Sequence, residues 1–422
     1  MDLLDDLQWR GLIYQTTDID SLRKLLQHNK ITFYEGFDPS CDSLQLGNLL
    51  TLITAKRFQI AGHKPIILVG GATGMIGDPS DKKSERKLLN EQTVKNNTKK
   101  IASQIKHIFN SFDSKHISNK VKIVNNYDWF KNITFLTFMR DIGKYFSINY
   151  LLSREWVKTR LDSGISFAEF GYSLIQAYDY FILNLKYNCQ LEIGGSDQWG
   201  NIIAGVDLIK NKTHKEVYGL SIPLLLHSDG TKFGKSVQNC IYLDPNKTTP
   251  YQMYQYLVNI DDRDIIHFLK QFTFLSIKEI KQYETKIIQN PELREAQKFL
   301  AKFIVKLIHG TKAVSKCEKI SNALFYGDFQ KLTQKELEQG LNDVPTFEII
   351  DHKQINVIDL LVSGNISSSK RQAKEDIINK AITINGKNIS DIELQLTKKD
   401  CLFNTYLIIR RGKKTYFLGK WI

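Results

Sequence analysis

The residues best suited to chemistry in this chain are lysines held between glycines. Residues 229–236 read DGTKFGKS, with Lys232 and Lys235 three apart. A mobile, positively charged loop of that make can close over a polyphosphate and release it, although an ordinary basic hairpin has the same pattern. A second basic group follows a glycine-rich strand end. In residues 69–86, VGGATGMIGDPSDKKSER, four glycines fall within eight residues, followed by Asp78-Pro79-Ser80 and then Lys82, Lys83 and Arg86. Lys82 and Arg86, at i and i+4, share a helix face. Phosphate contact and a solvated basic face are the two readings. A third feature lies in residues 31–50, where Gly47 leaves room for close approach. There Asn48 can cap a helix whose start attracts phosphate. Tyr172, Gln176 and Asp179 stand at i, i+4 and i+7, on one helical face. Set among Phe, Leu, Ile and Ala, they suggest a lined pocket or a partly exposed face. Asp197, after Gly194-Gly195-Ser196, is placed to accept from a ribose hydroxyl.

Those residues need elements to hold them. A β-prone run at 31–34, a turn-rich loop from Gly36 to Gly47, helical spacing from Asn48 and a second apolar run at 65–69 make a βαβ unit. Ligands of such parallel sheets sit beyond the carboxyl ends of the strands. Residues 1–30 read as an amphipathic helical lead-in, and about 90–120 as a polar surface helix. Further strands are expected at 121–124 and 190–193, with an apolar run at 221–226. The glycine-rich 70–80 stretch reads as a long flexible connection. Residues 134–170, with Phe135, Phe138, Phe146, Tyr150 and Trp156, suit a core or a subunit interface. Four segments follow: a catalytic domain over 1–245, with a dimer-interface region at 125–170; a helical domain over 246–325; a linker over 326–351; and a C-terminal module over 352–422. In the last, Ser367–Ser369 can cap a helix striped by Ala373, Ile377 and Ala381. Residues 382–387 make a strand with an Asn-Gly turn. The basic excess there gathers at Lys370, Arg371 and Lys374 and at Arg410, Arg411, Lys413 and Lys414. Such clusters fit a phosphodiester backbone or a solvated face.

Composition narrows the class. The 422 residues carry a net charge of +13 and a pI near 9.2, which favours an anionic partner. The chain is rich in Lys, Asn and Ile, so clustering says more than the total. Five scattered cysteines offer neither a disulfide frame nor metal spacing, and fit a reducing cytosol. No uncharged apolar run approaches the ~18 residues of a membrane helix. The acidic start MDLLDDLQWR lacks a signal-peptide n-region. A cytoplasmic protein without a metal site is expected.

Taken in order, MDLLDDLQWRGL, YEGFDP, VGGATGMIGDPS, NNYDW, GISFAEF, QAYD, IGGSDQWGN, DGTKFGKS, SKRQAKEDI and RRGKK resemble the bacterial-type tyrosyl-tRNA synthetases, a class I aminoacyl-tRNA synthetase family, over essentially the whole chain. The resemblance implies an α/β fold: a Rossmann-like parallel-sheet catalytic domain, an α-helical middle domain and a small α+β C-terminal RNA-binding module like one in a ribosomal small-subunit protein. It also implies a homodimer. ATP, L-tyrosine and tRNA(Tyr) are the implied partners, with Mg²⁺ accompanying ATP and held by no dedicated protein site. Tyrosine's carboxylate would attack the α-phosphorus, and a hydroxyl of the tRNA's terminal adenosine would then take the tyrosyl group. The substrate supplies the nucleophile, so the protein's task is positioning and charge stabilisation.

By the same resemblance Lys232, Lys235, Lys82 and Arg86 bind the phosphates, with Gln45 and Asn48 at the helix start. Gly36, Asp38, Ser40, Gly47, Gly195 and Asp197 line the nucleotide side. Tyr34 and Asp179 read the phenol, Tyr172, Gln176 and Asp78 the α-ammonium group, and Gln198 lies beside the carboxylate. Lys370, Arg371, Lys374, Arg410, Arg411, Lys413 and Lys414 face tRNA. One departure stands out: the family's His-x-Gly-His signature is here Gln45-Leu46-Gly47-Asn48. Carboxamides still supply N–H donors, so activity with altered ATP handling is expected, and no kinetic pKa near about 6.5 from this motif. Two rivals remain: an RNA-binding protein on a synthetase scaffold, and a synthetase for another amino acid, tryptophan being nearest in fold. Tyr34 with Asp179 argues for a phenol, because indole offers only a donor.

Overall fold

The computed structural model describes the chain except residues 81–87, 113–118, 155–156, 159–163, 235–239, 343, 351–352 and 413–414 and the side chain of Tyr150. Lys82, Arg86, Lys235, Lys413, Lys414 and Trp156 therefore lie outside the described residues. Two compact units emerge: residues 1–248 with 255–308, and residues 249–254 with 309–422.

The first unit is built on a six-stranded sheet. Its strands are β1 (Gln15–Thr16), β2 (Thr32–Phe37), β3 (Lys64–Val69), β4 (Lys122–Asn125), β5 (Cys189–Gly195) and β6 (Tyr218–Ile222). They lie in the order β1-β6-β5-β2-β3-β4. All neighbours are parallel except β1, which runs antiparallel to β6. Phe33, Tyr34 and Phe37 of β2 and Ile66–Val69 of β3 are buried, because helices cover both faces of a parallel sheet and polar alternation is lost. The order places β2 and β5 side by side at the centre, with helices following both. That is the switch point at which such sheets bind ligands.

Several boundaries differ from the sequence expectation. β2 runs on to Phe37 and β5 to Gly195, since neighbouring strands continue the ladder past the glycines. β6 ends at Ile222. The helix after β2 spans Leu46–Ile60, and Gln45, in extended conformation (φ −107°, ψ 165°), holds its N-cap position. Asn48 is thus not the cap. It stands in the first turn, and its Oδ1 accepts from Gln45 N–H at 3.0 Å, the reciprocal half of a capping box. The glycine-rich 70–80 stretch is not simply a flexible connection. It contains the short helix Thr73–Ile76, held by Gly70 N–H donating to Phe37 O at 2.9 Å and Ala72 N–H donating to Asn126 Oδ1 at 2.7 Å. The Glu91–Ser111 helix buries Val94, Ile101, Ile105 and Phe109 on one face, so it is half core rather than surface. Within 134–170, Phe135, Leu136 and Ile148 are 65, 78 and 67 % exposed.

The second unit carries a five-stranded sheet with two strands apart. Its strands are β7 (Thr346–Ile349), β8 (Gln354–Asn356), β9 (Ile382–Ile384), β10 (Lys387–Asn388), β11 (Gln395–Thr397), β12 (Tyr406–Arg411) and β13 (Thr415–Trp421). The larger sheet is ordered β10-β9-β12-β13-β7, and β8 pairs with β11. Helices Val357–Ser363 and Lys370–Ile378 pack Leu360, Leu361, Ala373 and Ile377 on Leu407, Ile409 and Trp421. Ser369 caps the second helix, accepting from Gln372 N–H at 3.2 Å. That helix ends at Ile378, so Ala381 lies beyond its stripe. The Asn385-Gly386 turn has φ of 48° and 82°, as a two-residue hairpin requires. A Cβ on Gly386 would lie 2.2 Å from Gly327 O. Residues 326–351, expected as a linker, contain the Gln334–Gly340 helix and β7, which pairs with β13.

No helix among the described residues is long and apolar enough to cross a membrane.

Candidate active site

The carboxyl ends of β2 and β5 and the start of the Leu46–Ile60 helix border a cavity of about 470 Å³. The sequence-predicted Tyr34, Gly36, Asp38, Ser40, Gln45, Gly47 and Asn48 all line it. From later in the chain come Asp78, Tyr172, Gln176, Asp179, Gly195, Asp197, Gln198 and Lys232.

At one end the groups are deeply buried. Tyr34 is 2 % and Asp179 1 % exposed. Asp179 Oδ1 accepts from Trp129 Nε1 at 2.8 Å and its Oδ2 from Asn126 Nδ2 at 3.0 Å. Burial pushes the Asp179 pKa well above the usual carboxylate range, while the two donors pull it back. Asn126 also donates to Thr73 Oγ1 at 3.0 Å, so three elements orient one carboxylate. The Tyr34 hydroxyl and Glu192 Oε2 make no hydrogen bond of ordinary length among the described residues, though the two side chains lie close enough to interact. Burial, then the nearby Glu192 and Asp179, push the Tyr34 pKa up, so the phenol keeps its proton. Gln176 Nε2 donates to Glu192 Oε1 at 3.0 Å.

The middle of the cavity is cross-linked. Tyr172 donates to Asp38 Oδ2 at 2.8 Å, so a tyrosine expected on the ammonium side and an aspartate expected on the nucleotide side share one bond. Gln198 Nε2 donates to Asp78 Oδ2 at 2.5 Å and to Asp197 Oδ2 at 3.2 Å. Asp78 Oδ1 accepts from Ser80 N–H at 2.8 Å.

At the other end the helix tip meets the lysine loop. A Cβ built on Gly47 meets nothing within 4 Å, so the first turn is open above it. Asn48 spends its carbonyl on Gln45 N–H, which leaves its amide N–H groups as donors. The loop turns at Gly230 (φ 81°), with His227 N–H donating to Thr231 O at 2.8 Å. Ile241 N–H donates to Gly234 O at 2.8 Å, and Leu46 N–H to Ile241 O at 2.9 Å. The described root of the loop is therefore bonded to the helix tip, and Lys232 lines the cavity.

Sequence reasoning missed several groups here. Glu35 of β2 is 2 % exposed and lines the cavity; burial raises its pKa to about 8. Glu192 of β5 is 2 % exposed, with a pKa raised by burial to about 7. A charged residue inside an otherwise apolar strand was the signal for both. Asn126 and Trp129 stood only within the NNYDW motif, with no role assigned to them.

The described members of the basic clusters of the C-terminal unit lie on neighbouring elements. Arg411 pairs with Asp376 at 2.9 Å and donates to Ile366 O at 2.7 Å, which ties β12 to the Lys370–Ile378 helix. Lys370 pairs with Asp359 at 2.7 Å and Arg371 with Glu375 at 3.1 Å. Lys374 is exposed and Arg410 half-buried. Among the described residues no group of three or more His, Cys, Asp or Glu is placed to hold a metal ion.

The model of the class I tRNA synthetases (W and Y) matches residues 26–326, and that of the tyrosine--tRNA ligase SYY-like C-terminal domain matches 336–419. The chain belongs to the class I tRNA synthetases. It is 51 % identical to the tyrosine--tRNA ligase of Geobacillus stearothermophilus over the full length of both. With that of Streptococcus agalactiae serotype V it shares 48 % identity over 99 % of each chain. The fold is that of a C-terminally truncated mitochondrial tyrosyl-tRNA synthetase from Aspergillus nidulans (TM-score 0.69, 31 % identity, 76 % of this chain and 94 % of that one). A tryptophanyl-tRNA synthetase from Encephalitozoon cuniculi, at 15 % identity and a TM-score of 0.54, shares the fold alone. The Rossmann-like parallel sheet, the helical middle and the small C-terminal sheet unit agree with the architecture expected from sequence.

Proposed function

We infer that this chain activates L-tyrosine with ATP and transfers it to the terminal adenosine of tRNA(Tyr). One observation carries the reading: Tyr34 and Asp179 line the same cavity as Asn48 and Lys232. The tyrosine ring enters the buried end, where the substrate phenol donates to Asp179 and accepts from Tyr34. A phenylalanine ring there leaves both groups unpaired, and discrimination arises from that cost. Tyr172, Gln176 and Asp78 face the ammonium group, and Gln198 stands beside the carboxylate. ATP lies along the loop after β2, with Asp197 on the ribose and Gly36, Asp38, Ser40 and Gly195 close to the nucleoside.

A tyrosine carboxylate oxygen attacks the α-phosphorus as the bond from that phosphorus to the bridging oxygen breaks, and pyrophosphate leaves with the electron pair. The chain holds the reactants in line. It stabilises the charge with the Asn48 amide, the helix start and Lys232. Lys235, Lys82 and Arg86 are assigned to the same phosphates. Mg²⁺ arrives with ATP as part of the substrate and shares its charge. Gln45 and Asn48 supply donors whose charge does not change with pH.

The basic face of residues 352–422 meets the tRNA backbone, with Lys370, Arg371, Lys374 and Arg410 nearest and Arg411 as a structural tie. Residues 246–325 form the anticodon-side domain. The exposed Phe135, Leu136 and Ile148, large apolar side chains within one short stretch, fit a second copy of the chain. The site of action is the cytoplasm. Tyrosine-dependent exchange between ATP and pyrophosphate tests the reading. Exchange with tyrosine and not with tryptophan is expected; no exchange with either leaves an RNA-binding protein.

A further inference from the structure

The lysine loop is held at its root by polar groups that the ligase reading does not use. Gly234 N–H donates to Tyr256 Oη at 2.7 Å. Tyr256 Oη lies 3.1 Å from His227 Nε2, and His227 Nδ1 lies 3.0 Å from Asp264 Oδ2. Asp264 Oδ1 accepts from Ser228 N–H at 3.0 Å. The proton order follows from valence. A carboxylate only accepts, so Nδ1 carries the imidazole proton and Nε2 of the neutral ring is an acceptor. The Tyr256 hydroxyl then donates its single proton to Nε2 and keeps its lone pairs for Gly234. Burial holds the Tyr256 pKa above its ordinary value, so that proton stays in place. Beside this polar chain, Phe233 is 5 % exposed and its ring lies 4.3 Å from that of Phe268. Lys232 is thus followed directly by an apolar pin and a polar anchor. The anchor leads back to the helix tip, because Gly234 O accepts from Ile241 N–H while Ile241 O accepts from Leu46 N–H.

We propose that Tyr256 and His227 are positioning residues for tyrosine activation: the chain Asp264–His227–Tyr256 fixes Gly234, and through it sets Lys232 against the Leu46–Ile60 helix start. This rests on the reading that the loop handles the phosphates. The other groups acting on this corner are Asp229 on the loop and Arg263 on the Asp262–Phe272 helix, both coupled electrostatically to it.

Four variants of the full chain test the proposal by pyrophosphate exchange. Tyr256→Phe and His227→Leu are expected to lower kcat about fivefold, the effect of one hydrogen bond of about 1 kcal/mol, with the KM for tyrosine unchanged. His227→Gln can accept from Tyr256 and donate to Asp264; it is expected to keep wild-type kcat where His227→Leu does not. Wild-type kcat in Tyr256→Phe overturns the proposal, as does an equal loss in His227→Gln and His227→Leu. A lowered melting temperature with kcat intact also overturns it, because the role would then be structural. Should Tyr256→Phe fail to fold, the Gln/Leu pair at 227 decides alone. Lys232→Ala separates the two levels. If it retains full activity, the loop reading itself fails. If it is impaired while Tyr256→Phe is not, only the positioning role fails.

Discussion

At the end of the cavity assigned to the phenol, Tyr34 and Asp179 are 2 % and 1 % exposed, and Asp179 is fixed by Asn126 and Trp129. At the end assigned to phosphate, Gly47 faces open space and Lys232 is exposed, on a loop whose described root is bonded to the helix tip. The contrast follows from what each end must do. Telling one ring from another depends on making a wrong ligand leave buried polar groups unpaired, which requires burial and fixed orientation. Carrying a triphosphate in and pyrophosphate out requires charge that remains close to water, where it binds and still lets go. Glu192, beside Tyr34 at the buried end, and Glu35, buried within β2, are carboxyls that belong to neither task in a simple way.

Asp179→Ala attacks the buried end hardest. It removes the phenol's acceptor and leaves two donors unpaired, a cost of about 4 kcal/mol in kcat/KM for tyrosine, roughly a thousandfold. A drop of only a few-fold would show that the ends do not differ as described. Lys232→Ala breaks the exposed end, with an expected fall in kcat of about a hundredfold and little change in melting temperature; a large loss of stability would mean that the lysine is structural.

Glu35→Gln sharpens the contrast through pH. Burial raises the Glu35 pKa from 4.5 to about 8, so the folded state favours the protonated acid more than the unfolded state does. Its stabilisation is complete below about pH 4.5 and is lost as pH rises through about 8. The Gln variant should lack that loss and gain on the wild type by about 4 kcal/mol by pH 8, read by denaturant unfolding at pH 5 and pH 8. Equal pH dependence in both chains would refute the assignment. Tyr34→Phe has the smallest effect and two opposite signs. It removes an unpaired buried hydroxyl, so stability should rise by about 1 kcal/mol, while selection of tyrosine over phenylalanine falls about tenfold. Unchanged selection would remove Tyr34 from its assigned role.

How far these features were legible depended on the range of the interaction that makes them. Tyr172, Gln176 and Asp179 were found together because helical periodicity puts them on one face, and all three line the cavity. Lys232 stood out by its glycine neighbours. Asn126 and Trp129 did not, since their partner Asp179 lies 53 and 50 residues away and nothing local marks the pairing. The helix was expected from Asn48, because apolar spacing starts there; the reciprocal bond from Gln45 N–H moved the cap upstream. Residues 326–351 read as a linker, yet Thr346–Ile349 becomes a strand because β13 offers it a free edge.

What the sequence determined by itself were the properties carried by residue type and near spacing: strands with apolar runs, helix faces, an Asn-Gly hairpin, glycine-flanked lysines, and a motif order that marks the class I synthetases. What the tertiary structure decided was which groups share a proton or a cavity. It set Tyr34 beside Glu192, Tyr172 against Asp38, and Gly234 on Tyr256, because hydrogen bonds and burial act over ångströms in space and not along the chain.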